Sequence, residues 1–67
     1  MTTIETTYYQ QAFGRKPKSS DYALWIFNLG RQGAWTEFTW NGTYATAAKL
    51  AKAEAKRLGC TKISLAQ

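Results

Sequence analysis

The stretch TYATAAKLAKAEAKRLG, residues 43–59, decides the fold because it predicts one well-delimited helix. Thr43 is a suitable N-cap residue and Gly59 a suitable C-cap residue. At about 100° per residue, one face of this helix is mostly alanine. That face holds Tyr44, Ala47, Ala48, Ala51, Ala55 and Leu58. The small side chains predict a close approach to a sheet, whose larger side chains then fill the space.

Strand-like runs lie on both sides of this helix. YALWIFNL at 22–29 and AWTEFTW at 34–40 are rich in β-branched and aromatic residues. The intervening GRQG at 30–33 has glycine at each end and favours a hairpin loop. TKISLA at 61–66 predicts a further strand after the helix.

The first predicted strand is apolar on both faces, with Ala23, Trp25, Phe27 and Leu29 on one and Tyr22, Leu24 and Ile26 on the other. A single helix covers only one side of a small sheet. Residues 4–13, IETTYYQQAF, are the available cover for the second side. We predict there a short helix that is capped by Thr6 or Thr7 and ends at Gly14, with a strand as the alternative. If this segment is too small, the second face becomes a contact surface.

The predicted fold class is α+β. Sixty-seven residues allow one domain, in which residues 1–21 form an N-terminal segment with a basic arm and residues 22–67 form a ββαβ core. The full order is (α)ββαβ, with an antiparallel sheet packed on one alanine-rich helix. So small a domain needs dense packing or self-association into a homodimer, since one cysteine makes no internal disulfide.

Catalytic equipment is missing from the sequence, so we predict no enzyme, no cofactor, no metal site and no catalytic residue. There is no histidine, and the four carboxylates show no paired spacing. Cys60 is expected to be a small buried hydrophobe. The sequence has neither an apolar run of eighteen residues nor a signal-like start. We therefore expect a protein of the bacterial host cytoplasm without a membrane partner.

The segment GRKPKSSDY, residues 14–22, is the predicted basic arm. Pro17 blocks a helix and biases Lys16 toward an extended conformation. An extended run with Arg15, Lys16 and Lys18 is well shaped to follow a phosphate backbone. The alternative is a solvated loop whose charges only keep the protein soluble.

Three lysines of the predicted helix, Lys49, Lys52 and Lys56, fall within about 60° of arc and form a lysine flank. Alone, such a flank is typical of a solvated helix face. Together with Arg57, however, the arm and the flank hold seven of the nine cations, and Arg31 in the hairpin loop adds to either group. The net charge of +5 favours anionic partners.

The three tryptophans are expected in the core or in cross-strand pairs, with base stacking beside a basic groove as the alternative. Trp35 is the best stacking candidate because its face also carries Glu37 and Thr39 and should be wetter. Tyr22 is the next candidate.

The series G-R-K-P at 14–17, W-x-F at 25–27 and G-T-Y at 42–44 resembles small proteins carried by bacterial viruses and prophages. This resemblance implies a mobile-element origin and no particular function. Residues 42–47 are also similar to the strand-to-helix turn of the AP2-type DNA-binding domain. Those domains read DNA with arginines on their sheet, and the strands predicted at 22–29 and 34–40 contain none.

Two functional hypotheses follow. The first is a nucleic-acid-binding accessory protein of a phage or mobile element, in which phosphates contact the arm and flank and Trp35 stacks. About four phosphate contacts on duplex DNA predict a slope near −3.6 for log K against log salt. The second is a phage-encoded inhibitor of a host protein complex, either an anti-CRISPR-like inhibitor of defence or an inhibitor of transcription. Its anchor would be Tyr22, Leu24 and Ile26.

Overall fold

The computed structural model describes residues 3–66, which form two helices and one four-stranded sheet. In chain order the elements are β1 (Ile4–Glu5), α1 (Thr7–Phe13), β2 (Tyr22–Arg31), β3 (Ala34–Thr43), α2 (Tyr44–Leu58) and β4 (Lys62–Leu65). The strand order across the sheet is β1-β4-β2-β3. The predicted α+β class is confirmed. None of the described helices is long and apolar enough to cross a bilayer.

The hairpin of β2 and β3 is longer than predicted. Its ten antiparallel pairs run without a break from Tyr22↔Thr43 to Arg31↔Ala34. Gly30 and Arg31, which were predicted to lie in the loop, therefore continue the strand. The connection is only two residues long, and Gly33 adopts a φ of 74°, in the left-handed region that glycine enters without steric cost.

The predicted helix is confirmed with both of its ends. It begins after Thr43 and ends before Gly59, whose φ of 75° gives a left-handed C-cap. The Thr43 hydroxyl donates to the hydroxyl of Thr46 at 3.1 Å and caps no backbone N–H. Every fourth residue of the alanine face is fully buried, and these are Ala47, Ala51 and Ala55.

Large side chains of the sheet fill the space under the alanine face, as predicted. The fully buried ones are Trp25, Phe27, Leu29, Ile63 and Leu65. The register explains this layer, because β4 places Leu65 beside Phe27 and Ile63 beside Leu29. Cys60 is a buried free thiol, as expected.

The N-terminal segment contains both predicted alternatives, one after the other. The helix over 7–13 is confirmed, and it ends at Gly14 with a φ of 72°. The two residues of β1 pair in parallel with β4, so the sheet is mixed and not purely antiparallel. Tyr9 of α1 packs on Trp25 in the core, at 5.6 Å between ring centroids. The opposite side of the sheet, which we call the open face, keeps Tyr22, Leu24 and Trp35 exposed.

Candidate nucleic-acid interface

The basic arm is a closed loop, which corrects the expectation of an extended segment. The Arg15 guanidinium donates to the carboxylate of Asp21 at 2.8 Å, and the backbone N–H of Lys18 donates to the same oxygen at 3.0 Å. The N–H of Asp21 in turn donates to the carbonyl of Lys18 at 3.0 Å. The hydrogen bond from Arg15, followed by the one from Lys18, lowers the pKa of Asp21 below its ordinary value.

Backbone hydrogen bonds hold this loop against the start of α2. Tyr44 donates to the carbonyl of Asp21 at 2.9 Å, and Ala45 donates to that of Ser19 at 3.1 Å. The arm therefore has a fixed position beside the first turn of the helix. Its remaining cations, Lys16 and Lys18, are exposed at that end of the molecule.

The lysine flank runs along α2 from the arm toward the opposite end. Lys49, Lys52 and Lys56 are exposed and form no ion pair with a described carboxylate. Arg57 differs from them, because its guanidinium donates two hydrogen bonds to Glu54, at 2.8 and 2.7 Å. These bonds lower the pKa of Glu54. Arm and flank thus spread positive charge over a helix about 22 Å long.

A second group of cations lies where α2 ends and the hairpin turns. Arg31 donates to the carbonyl of Leu58 at 3.1 Å, which places its charge at the negative end of the helix dipole. Thr61 donates to the carbonyl of Gly30 at 2.9 Å, and the next residue, Lys62, is the register partner of Gly30. Arg31 and Lys62 therefore flank the same end of the sheet.

Trp35 lies at this end, on the open face. Lys62, Gly30 and Trp35 form one row across β4, β2 and β3, with neighbouring strands about 4.8 Å apart. A Cβ built on Gly30 would come within 2.5 Å of Cζ3 of Trp35. The indole ring therefore lies directly on the backbone of Gly30, where only glycine leaves room for it.

The ring forms one wall of a surface groove of about 680 Å³. Arg31, Lys62 and three glycines, Gly30, Gly33 and Gly59, also line it. Trp35 remains 61 % exposed, so one ring face is available to a ligand while the other rests on the strand. A planar aromatic surface and two cations thus meet in one groove.

The rest of the open face contains both polar and apolar side chains. Next to Trp35, a smaller hollow is lined by Tyr8, Asn28 and Ser64. At the far end of β2, Tyr22 is 73 % exposed and Leu24 is 54 % exposed, while Ile26 is half-buried. The three predicted protein-interface residues are thus on one face, at the end opposite to Arg31 and Lys62.

The other two tryptophans follow the expectation of core and cross-strand positions. Trp25 is 1 % exposed, and its indole N–H donates to the carbonyl of Gly42 at 2.9 Å. Trp40 is the register partner of Trp25 and is 39 % exposed. Of the three tryptophans, Trp35 alone presents most of its ring on the open face.

The structure separates the predicted nucleic-acid residues into two sets. Arg15, Lys16, Lys18, Lys49, Lys52 and Lys56 lie along α2 and at its start, whereas Arg31 and Trp35 share the groove at its other end. Lys62, the third member of that groove, was not among the predicted binding residues. The alternation of TKISL carried the signal, because Ile63 and Leu65 point into the core and Lys62 must then point to the open face.

Residues 3–66 contain no cluster of three or more acidic, cysteine or histidine side chains that could hold a metal ion. No protein-family model, curated protein or solved structure matches the chain.

Proposed function

We propose that the protein binds single-stranded nucleic acid without strong sequence preference, as an accessory protein of a phage or mobile element. The observation that carries the proposal is the groove in which Trp35 lies between the strand backbone and solvent, beside Arg31 and Lys62. In this proposal the groove acts by binding, with Trp35 stacking on a base and the two cations contacting phosphate.

Stacking and phosphate contact fit the two parts of this groove. The exposed ring face of Trp35 accepts any base, and such stacking is worth about 1–3 kcal/mol per base. Lys62 lies in the same row as the ring, on the far side of Gly30, and Arg31 follows Gly30 toward the turn, whereas Glu37 occupies the next row of the open face on β3. The phosphate backbone is therefore expected on the Lys62 side.

The geometry favours single strands over duplexes. A base inside a duplex presents only its edge, whereas stacking on Trp35 requires a free base face. The lysine flank lies on α2, across the sheet from the ring, so it supplies a long-range positive field for association. We expect it to raise the association rate more than the final affinity.

The test is the salt dependence of binding to fluorescein-labelled 12-nucleotide DNA and RNA strands and to a matched duplex. Contacts from Arg31 and Lys62 alone predict a slope of log K against log salt near −1.4 for single strands. Full engagement of the lysine flank as well would steepen the slope to about −3.5. Absence of binding at low salt, or tighter binding to the duplex, would refute the proposal.

A charge-matched pair of variants locates the site. Lys62→Gln removes a cation of the groove, and Lys16→Gln removes an exposed cation of the arm with the same change in net charge. We expect the first to weaken single-strand binding several-fold more than the second. Equal losses would show that net charge, and not the groove, governs binding.

A second candidate function is supported by the exposure of Tyr22 and Leu24. Two large side chains beside a half-buried Ile26 resemble the anchor of a protein interface. Among the described residues that line the hollow beside them, Arg15 is the one cation, and it is paired with Asp21. A phage-encoded inhibitor of a host protein complex would use this end of the open face.

Nuclease treatment before pull-down from host lysate separates the two functions. A stoichiometric protein partner that survives nuclease and is lost in Leu24→Ala, but not in Trp35→Ala, favours the inhibitor. Loss of every partner on nuclease treatment favours nucleic-acid binding.

A further inference from the structure

Strand β3 forms an edge of the sheet, and within residues 3–66 no strand pairs with its outer side. It has ten residues, pairs with β2 without a bulge, and contains neither proline nor lysine. Its single charge is that of Glu37. Soluble proteins usually protect such edges with lysine, proline, bulges or shortness. The opposite edge is protected in this way, because β1 has only two residues.

Hydrogen bonds on the other side of β2 identify which groups of β3 are free. The carbonyls of Ile26 and Gly30 accept bonds from Ala66 and Thr61 and so point away from β3. Their register partners in β3 are Thr39 and Trp35. The backbone N–H and C=O groups of these two residues must then point away from β2. By the same alternation, the free N–H and C=O groups of the edge belong to residues 35, 37, 39, 41 and 43.

We propose that this edge pairs with β3 of a second copy of the chain, antiparallel about a two-fold axis at Thr39. Of the symmetric registers, only this one pairs all five free residues. In this register Thr39 lies opposite Thr39 of the second copy. Likewise, Glu37 lies opposite Asn41 of the second copy, and Trp35 lies opposite its Thr43. The proposal is independent of the proposed function.

The side chains agree with this register on both faces. On the helix side it sets Phe38 opposite Trp40 of the second copy, which is an aromatic pair of the kind that stabilises adjacent strands. On the open face it sets the carboxylate of Glu37 opposite the amide of Asn41. An axis at Glu37 would instead oppose two like charges and leave part of the edge unpaired.

A second copy fits this edge better than a growing filament. In the dimer the two β3 strands pair with each other, so neither remains an edge. The outer edges of the resulting eight-stranded sheet are then the two short β1 strands, and the assembly closes as a dimer. Each chain has a net charge of +5, but none of its nine cations lies on β3, so positive side chains do not face one another across the interface. The dimer would carry both Trp35 rings on one continuous open face.

The first experiment measures molar mass against concentration by sedimentation, on protein freed of nucleic acid. We expect a monomer–dimer equilibrium. In Asn41→Glu, the new carboxylate of each copy would lie opposite Glu37 of the other copy, so two repulsive pairs would form. The dissociation constant should then rise about tenfold, whereas Asn41→Lys should lower it. Ala53→Lys and Ala53→Glu on the exposed side of α2 are the charge-matched controls, and circular dichroism verifies that each variant is folded.

The second experiment is oxidation of Thr39→Cys, which should give a cross-linked dimer across the axis, compared with Ala53→Cys on the exposed side of α2, which should not. A monomer at all concentrations would overturn the proposal. A dimer that responds equally to both substitutions at Asn41, or that fails to cross-link through position 39, would overturn it as well.

Discussion

The indole ring of Trp35 rests on the backbone of Gly30, its cross-strand partner in the hairpin. This contact holds the ring flat against the open face and turns its free side to the groove. Lys62 continues the same row on the next strand. A stacking platform and a cation are therefore positioned by the sheet itself, without help from a loop.

The Gly30–Trp35 contact predicts the effect of one added methyl group. In Gly30→Ala, the new Cβ would collide with the ring and displace Trp35 from the groove. Loss of one stacked base corresponds to about 1–3 kcal/mol, so single-strand affinity should fall about 5- to 150-fold. Titration with the labelled 12-nucleotide strand measures this loss.

Gly42→Ala provides a matched control for that substitution. Its Cβ would come within 2.8 Å of Nε1 of Trp40, so it disturbs a second tryptophan–glycine contact away from the groove. We expect little change in affinity. If the two glycine variants bind equally well, or if Gly30→Ala still weakens a protein that already carries Trp35→Ala, the ring is not the platform.

The alanine face of α2 predicts a strong dependence on side-chain size. Ala51 is fully buried against the sheet, so Ala51→Leu should overpack the interface and cost about 1–3 kcal/mol of unfolding free energy. Ala53 is exposed on the same helix, and Ala53→Leu should leave stability nearly unchanged. Urea denaturation of both variants measures the difference. Equal effects would contradict the close approach of helix and sheet.

The indole N–H of Trp25 donates to the buried carbonyl of Gly42 at 2.9 Å, in addition to the ladder bond that pairs Gly42 with Ala23. Trp25→Phe removes the indole donor and part of a fully buried side chain, so lost hydrogen bonding and packing should together cost about 1–3 kcal/mol. Trp40→Phe is the control, because Trp40 is partly exposed. Thermal and urea unfolding should show a much larger loss for the Trp25 variant, and similar losses would argue against the hydrogen bond.

The closed arm predicts a dependence of stability on pH. The folded pKa of Asp21 lies below its unfolded value of about 3.9 because Arg15 and the Lys18 N–H donate to the carboxylate. The ionised Asp21 therefore contributes to the free energy of unfolding in full above the unfolded pKa, and this contribution is lost as the pH falls through the folded pKa. In Asp21→Asn, the decline of stability below about pH 4 should be shallower than in the wild type.

Glu54→Gln is the control for the arm, since Glu54 also has a lowered pKa but pairs with Arg57 within one helix. At neutral pH we expect Asp21→Asn to destabilise the protein more, because the same carboxylate closes the loop that leads into α2. Urea midpoints from pH 2.5 to 7 test both statements. If the urea midpoint of Asp21→Asn declines at acid pH as steeply as that of the wild type, the role of this carboxylate is contradicted.

Local patterns predicted the central part of the fold. The helix at 43–59 was delimited by its caps, and the alternation of the strands predicted which face of each meets the alanines. These features depend on residues near one another in the chain. The exposure of Trp35 followed from the polar residues that share its face.

Long-range pairing explains what the sequence did not reveal. Only two residues form β1, and their parallel partner lies near the other end of the chain, so no local periodicity marks them. Closure of the arm depends on Asp21, whose charge alone does not indicate Arg15 as its partner. The groove needed the register of three strands, because Lys62 and Trp35 are 27 positions apart.

The most direct test is a ¹H–¹⁵N NMR titration of the protein with the unlabelled 12-nucleotide strand. We predict that the indole N–H of Trp35 and the amides of residues 30–35 and 59–62 shift together as the strand is added. The amides around Tyr22 and Leu24 should shift little. Shifts confined to the arm and the lysine flank, or the absence of shifts at Trp35, would contradict the groove as the binding site.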